Sequence, residues 1–331
     1  NGEERVLYAK AEFFNLTGSI KDRMARHIIE MSYEDGTLLK GMPIVEATSG
    51  NTGIAFSALG ALYEHPVHIF MPDWMTQERK DIIKGYGAIL HEVSAEQGGF
   101  EGSVVLADAY AKEINGFRPQ QFFNPYNMDA HFQTTGKEIC SQLEKFEIVA
   151  DGFVAGVGTG GTIMGVGKRL KERNPKVKLF PVEPFEAPAM SKGTCGGTHR
   201  IQGIGDGFIP ELVDMTMMDD IGVVYDGDAV IMAQKLAREL GLGVGISSGA
   251  NFLATVMMHN KYGKDFNLCT IFSDDSKKYL SSGLLQKEKV KEGYIAPDIE
   301  LLDVDGTCVC EKRLSDHICS KDFRLNKKSA I

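Results

Sequence analysis

The chain has 331 residues, 43% of them hydrophobic, with 37 glycines, enough to bury a large core in one large or two medium domains. A formal net charge of −9 argues against nucleic acid or an anionic membrane as the main partner. No apolar run reaches the roughly 18 residues that span a bilayer. No secretory leader pattern opens the sequence, and Cys140, Cys195, Cys269, Cys308, Cys310 and Cys319 are too scattered for a disulfide scaffold, so reduced thiols in a cytoplasmic protein are expected.

Short β-rich runs alternate with longer helical patterns. In chain order the reading is strand Val6–Phe13, a helix from about Ser19, strand Pro43–Ala47, a helix from Thr52, strand Val67–Met71, a helix from Gln77 and strand Ile89–Val93. It continues with helix Phe100–Asn115, strand Gln121–Phe123, helix Ala130–Phe146, strand Gly152–Ala155, a helix from Thr162, strand Val177–Glu183, helix Asp228–Leu240, a helix from Ala250 and strand Asn267–Phe272. Such alternation predicts an α/β protein built of βαβ units, with parallel sheets covered on both faces.

Two segments carry a strand into a glycine turn and then a helix: Ile44-Val45-Glu46-Ala47-Thr48-Ser49-Gly50-Asn51-Thr52-Gly53, and Val154-Ala155-Gly156-Val157-Gly158-Thr159-Gly160-Gly161-Thr162. Free N–H groups and the positive end of a helix dipole make each turn an anion cradle, so the ligand, or a pair of ligands, is expected to carry two anionic ends. Upstream, Lys21 falls in the first turn of a helix, where its cationic form is disfavoured and a neutral amine can act as nucleophile or condense with an aldehyde. The plainer alternative is a solvated lysine beside Asp22, and the loop threonines and serine have a plainer alternative as helix caps.

Six motifs in order, Thr17-Gly18-Ser19-Ile20-Lys21-Asp22-Arg23, Thr48-Ser49-Gly50-Asn51-Thr52-Gly53, His131-Phe132-Gln133-Thr134-Thr135-Gly136, Gly158-Thr159-Gly160-Gly161-Thr162, Gln202-Gly203-Ile204-Gly205 and Gly245-Ile246-Ser247-Ser248-Gly249, make the chain resemble the cysteine synthase and cystathionine β-synthase family. The resemblance covers roughly residues 6–285 and is closest to a hydrogen sulfide-producing cysteine lyase variant. It implies a fold-type-II pyridoxal-phosphate enzyme, similar to the tryptophan synthase β subunit, with two three-layer αβα domains and the cofactor between them. The smaller domain would cover 15–136, the larger 1–14 and 137–290, and a C-terminal extension 291–331. A homodimer is implied too, with a small amino-acid substrate, L-cysteine or an O-activated serine. Relatives carry a further strand before the equivalent of Val6, so residues are expected to precede Asn1.

The resemblance assigns roles residue by residue. Lys21 would hold the aldehyde of pyridoxal 5′-phosphate and then shuttle the substrate Cα proton. Gly158, Thr159, Gly160, Gly161 and Thr162 would cradle the phosphate, Asn51 would bond the ring hydroxyl, and Thr48, Ser49, Gly50, Thr52 and Gln133 would hold the substrate carboxylate. Ser247 would face the pyridine nitrogen; a neutral hydroxyl there leaves that nitrogen largely unprotonated and favours β-elimination and β-replacement through an aminoacrylate over transamination.

One position departs from the family. Asp206, in Gln202-Gly203-Ile204-Gly205-Asp206-Gly207, stands where cysteine synthases carry a small apolar residue, in a loop the family places over the cofactor. A desolvated carboxylate there would act as general base on water and repel an incoming hydrosulfide, so the expected reaction is L-cysteine plus water giving L-serine and hydrogen sulfide. An Asp-Gly turn chosen for its backbone is the simpler reading of that pair. Alternative activities are an O-acetylserine sulfhydrylase, a cystathionine- or lanthionine-forming β-synthase, and an inactive paralogue that takes a partner peptide in the cleft. The tail residues Cys308, Cys310, His317 and Cys319 lack zinc-finger spacing, so no metal is expected, and a surface-packed tail or dimer arm is.

Overall fold

The computed structural model describes residues 2–194, 196–306 and 323–325. Its strands are β1 (Tyr8–Ala11), β2 (Ile44–Ala47), β3 (Val67–Pro72), β4 (Ile89–Val93), β5 (Gly152–Gly156), β6 (Lys178–Pro184), β7 (Gly222–Val224), β8 (Leu268–Phe272), β9 (Val304–Gly306) and β10 (Phe323–Leu325). The α-helices are α1 (Lys21–Glu34), α2 (Asn51–Leu62), α3 (Gln77–Gly85), α4 (Gly99–Glu113), α5 (Pro125–Ala130), α6 (Lys137–Glu144), α7 (Gly161–Arg173), α8 (Ala189–Lys192), α9 (Asp226–Leu240) and α10 (Ile246–Tyr262).

Two parallel sheets organise the chain. The smaller runs β2-β3-β4, with Ile44 opposite Val67 and His68 opposite Ile89; the larger runs β1-β8-β5-β6-β7, with Tyr8 opposite Cys269 and Gly152 opposite both Lys178 and Leu268. Every residue of β2, β3 and β8 is buried, as strands covered on both faces require. One core, including Met24, Ile28, Ile54, Phe56 and Ile69, fills the space between the small sheet and its helices, and a second, with Val45, Phe70 and Ala107, lies on its other face. The large sheet is likewise packed on one face around Phe180, Met232 and Leu253, and on the other around Phe153, Ile163 and Leu179. The fold is therefore a pair of αβα layers. β9 pairs antiparallel with β10 outside both sheets.

Four sequence expectations change. Gln121–Phe123 is a turn and not a strand: Gln120 has φ +52°, and the amides of Phe123 and Asn124 both bond back to its carbonyl at 2.9 Å. Ala130–Phe146 is not one α-helix; it begins with α5, widens into a π-helical turn over His131–Gly136, and resumes as α6. α10 starts at Ile246 and not Ala250, so Ser247 is in its first turn. β7 was not anticipated, being only three residues long.

Among the described residues no helix is long and apolar enough to cross a membrane. Cys140 and Cys269 are free thiols, and burial pushes the Cys269 thiol well up. Cys195, Cys308, Cys310, His317 and Cys319, with most of the 291–331 extension, lie outside the described residues.

Candidate active site

Lys21 opens α1 because the preceding loop is pinned on both sides. Asp22 accepts from the Thr17 amide at 2.7 Å and from the Thr17 hydroxyl at 2.5 Å, while Arg23 binds Glu12 and Glu138. Asp22 is thereby occupied, and the Lys21 amine has no carboxylate within ion-pair distance among the described residues. Its pKa is lowered, chiefly by burial and further by the cation of Lys278; Asp274 and Asp206 oppose the shift. An amine at the positive end of a helix, desolvated and unpaired, is suited to be neutral and nucleophilic.

Lys21 sits where two lobes of one cleft meet, lobes that also share Asn51, Gly158, Thr159, Gln202 and Gly203. Thr48, Ser49, Thr52, Arg79, Phe100, Gln121, Phe122 and Asp206 line the first lobe. The Thr48 hydroxyl accepts from the Gly50 amide at 3.1 Å, and the Thr52 hydroxyl donates to Gln121 at 2.6 Å. Gly160, Thr162, Ser247, Asn251, Ser273 and Asp274 line the second. There the amides of Gly158, Thr159 and Gly160 have no protein acceptor among the described residues, and a Cβ on Gly158 would overlap the Gly203 carbonyl oxygen. The loop is braced from behind: Asn127 donates to the Thr159 hydroxyl at 2.9 Å, and the His131 ring contacts the Thr162 hydroxyl at 3.3 Å. Burial, and further the charge of nearby Arg23, hold the His131 pKa well below its usual value, so the ring is neutral.

Asn51 donates its side-chain amide to Asp274 at 2.8 Å, Tyr279 donates to the same carboxylate oxygen at 2.8 Å, and the Asn51 side-chain oxygen and the other Asp274 carboxylate oxygen are buried without a partner among the described residues. Two orphaned acceptors at the second lobe, three free amides and an unpaired amine together suit a ligand with an aldehyde, a phosphate and a polar ring. Pyridoxal phosphate fits that description: Lys21 would take its aldehyde and the Gly158–Thr162 loop its phosphate.

Asp206 borders the first lobe and makes no hydrogen bond among the described residues. Its carboxyl reaches the solvent of the cleft, but protein surrounds it closely enough that desolvation raises its pKa, against the opposing pull of Lys21 and His199.

The cleft thus brings together Lys21, Thr48, Ser49, Asn51, Thr52, Gly158, Thr159, Gly160, Thr162, Asp206 and Ser247. Gly50 and Gly161 stand in the turns behind it, Gly50 against Arg79 and Gly161 against Asn127. Gln133 is the exception and is corrected here: it is exposed on the outer face of the π-helical turn and donates to Asp129 at 3.2 Å. Gln121 occupies the cleft instead, buried, bonded to Thr52 and donating to the Ala47 carbonyl at 3.3 Å. The false strand over Gln121–Phe123 concealed it; the turn at Gln120 is what aims Gln121 inward. Arg79, Gln202, Asp274 and Tyr279 were also not singled out by sequence, since each lies outside the glycine loops or was read only as part of a motif.

Residues 1–274 match the model of the pyridoxal-phosphate-dependent enzyme family. The chain is 39% identical over 278 residues to a cysteine synthase of Staphylococcus aureus, covering 84% of this chain and 88% of that one. It is 40% identical over 279 residues to cysteine synthase B of Campylobacter jejuni, covering 84% and 91%. Among solved structures, a hydrogen sulfide-producing enzyme from Fusobacterium nucleatum superposes with a TM-score of 0.87 at 53% identity, covering 90% of this chain and 89% of the other. The protein is a pyridoxal-phosphate-dependent enzyme. Within that class it belongs to the cysteine synthase family.

Proposed function

We propose that this enzyme converts L-cysteine and water into L-serine and hydrogen sulfide. The observation that carries the reading is the placement of Asp206, a hydrogen-bond-free carboxylate of raised pKa, on the same cleft lobe as Thr48, Ser49, Thr52 and Gln121, with the Lys21 amine bordering it. Pyridoxal phosphate, when bound, supplies the electron sink that makes the Cα–H and Cβ–S bonds of an amino acid labile. The chain's own residues do the rest. Lys21 holds the cofactor and, once released, takes and returns the Cα proton. The hydroxyls of Thr48, Ser49 and Thr52, with the opening of α2 behind them, hold the carboxylate, and Gln121 fixes Thr52. Once the Cα proton has been taken and the sulfur has left as hydrosulfide, Asp206 takes a proton from water as the water oxygen bonds to Cβ; the same negative charge disfavours return of the hydrosulfide.

The likeness to a hydrogen sulfide-producing enzyme supports this direction, and a variant of that relative with an aspartate changed to asparagine has been seen with an α-aminoacrylate intermediate. Turnover of L-cysteine alone in water labelled in oxygen tests the reading: label in the hydroxyl of the serine formed, with sulfide in equal amount, is the expected result. Sulfide with pyruvate and no serine, or turnover only when sulfide meets an O-activated serine, would replace it. Homodimer assembly, and the division into 15–136 against 1–14 and 137–290, belong to the same proposal.

A further inference from the structure

Arg79 is an unusual cation. It is 2% exposed, has no carboxylate within ion-pair distance among the described residues, and its Nε is buried without an acceptor, although buried charges are ordinarily paired. Its guanidinium lies 4.8 Å from the centroid of the Tyr279 ring, and it donates to the Gln202 side-chain oxygen across the cleft. Its stem lies so close to Gly50 that a Cβ there would come within 2.5 Å of Arg79 Cδ and Nε. One side chain of α3 therefore touches the carboxylate loop on one side and the loop bearing Asp206 on the other.

The second of those loops needs such a hold. Gly203, Gly205 and Gly207 all have positive φ (+91°, +72° and +81°), so glycine backbone supplies little stiffness around Asp206. The bonds that hold it include Gly205 N to the Val157 carbonyl at 3.0 Å, His199 to the Gly205 carbonyl at 2.9 Å, and Arg79 to Gln202, beside Gly196 N to the Gly207 carbonyl at 3.4 Å and the Ile204 side chain buried in the large-sheet core. The first two come from the large-sheet side. Among the described residues the third alone bonds the loop to α3, the element that follows the small sheet's β3.

We infer that Arg79 is a positioning residue for the hydration step: through Gln202 it holds the Asp206 loop over the first lobe, and through Gly50 it couples that placement to occupancy of the carboxylate loop. The inference rests on the proposed water-adding role of Asp206. A charge-assisted bond to a neutral amide has a fixed direction without neutralising the cation, which suits a contact that must stay inside a polar cleft. Loss of this hold lets the glycine loop drift, and displacement of a catalytic group by about 1 Å can cost 10²-fold in rate. It also admits more water to Asp206, whose carboxyl already reaches the solvent of the cleft. The titratable groups facing that carboxyl are Lys21, at the start of α1, and His199, upstream in its own loop; both oppose the rise of its pKa, and hydration acts in the same direction.

The test compares Arg79→Met, Gln202→Met and Arg79→Lys in the cofactor-loaded enzyme, and repeats the first two in an Asp206→Asn background. Both methionine variants should still release the first equivalent of sulfide from L-cysteine, with KM changed less than about threefold, while steady serine formation falls about 10- to 100-fold. Their acid limb should move to lower pH, because a better-hydrated Asp206 ionises more easily. Arg79→Lys should recover part of the rate, the Arg79→Met/Gln202→Met pair should be no worse than either alone, and in the Asp206→Asn background neither should cost anything further. Wild-type serine rates and an unmoved acid limb in Gln202→Met would overturn the inference even if Arg79→Met fails to fold, as would equal losses in the Asp206→Asn background. Failure of the proposed reaction itself shows separately, as wild-type serine output from Asp206→Asn alone.

Discussion

The two glycine loops look alike in sequence and behave differently in the structure. The Thr48–Thr52 loop presents side chains: its hydroxyls bond the Gly50 amide and Gln121, and Asn51 reaches across to Asp274. The Gly158–Thr162 loop presents backbone: the amides of Gly158, Thr159 and Gly160 have no acceptor among the described residues, its side chains are turned back to Asn127 and His131, and no basic residue lies within it. A side-chain loop linked to neighbouring elements can change when an amino acid arrives, whereas a backbone cradle braced by neutral partners stays as it is. In the proposed assignment, the exchanging substrate meets the side-chain loop and the resident cofactor phosphate the backbone cradle.

Breaking the point where the loops meet has the largest effect. Lys21→Ala should abolish turnover and the covalent attachment of cofactor while the protein stays folded, since alanine suits a first helical turn; absorbance and activity of the purified variant check both. Gly158→Ala comes next, because its Cβ overlaps the Gly203 carbonyl oxygen and closes the cradle: cofactor content, measured spectrophotometrically, should fall with little loss of folding. The side-chain loop should fail differently. Gln121→Ala should weaken binding of the amino-acid substrate by about 1–3 kcal/mol with cofactor content kept, as a neighbour of a charged group loses its support. Gln133→Ala should change neither quantity, and a loss of substrate affinity there would return that residue to the site. The smallest effect concerns pH. His131 holds a pKa well below 6.5 when folded, so the unfolded chain takes up a proton that the native state refuses. Stability should therefore decline as pH drops below the unfolded histidine value, and His131→Gln, with a neutral amide, should flatten that decline in thermal melts.

Much of this site was legible because its chemistry is local. A strand running into glycines and then a helix fixes an anion cradle within ten residues, and Lys21 at a helix start needs only its own turn. Gln133 and Gln121 show where locality ends: the motif containing Gln133 is real, but a π-helical turn rotates that side chain to solvent, and a positive φ at Gln120 turns Gln121 inward. Neither event has a periodicity to read. Arg79 and Gln202 are 123 residues apart in sequence, and Asn51 and Asp274 223, so only folding brings each pair together. The parallel, helix-covered character of the sheets followed from the alternation of strands and helices; β7 is too short to carry a pattern, and the strand read at Gln121–Phe123 is a turn.

The central claim is that Asp206 adds water after sulfur has left, and product analysis of L-cysteine alone, with wild type beside Asp206→Asn, tests it most directly. The wild type should give serine and sulfide in equal amounts. The variant, which keeps shape but lacks the base, should release about one equivalent of sulfide per active site and then stall, with serine output down by roughly 10²–10⁴ and turnover recovered by an added thiol. Serine formed by Asp206→Asn at the wild-type rate would contradict the account and leave Asp206 as a turn residue.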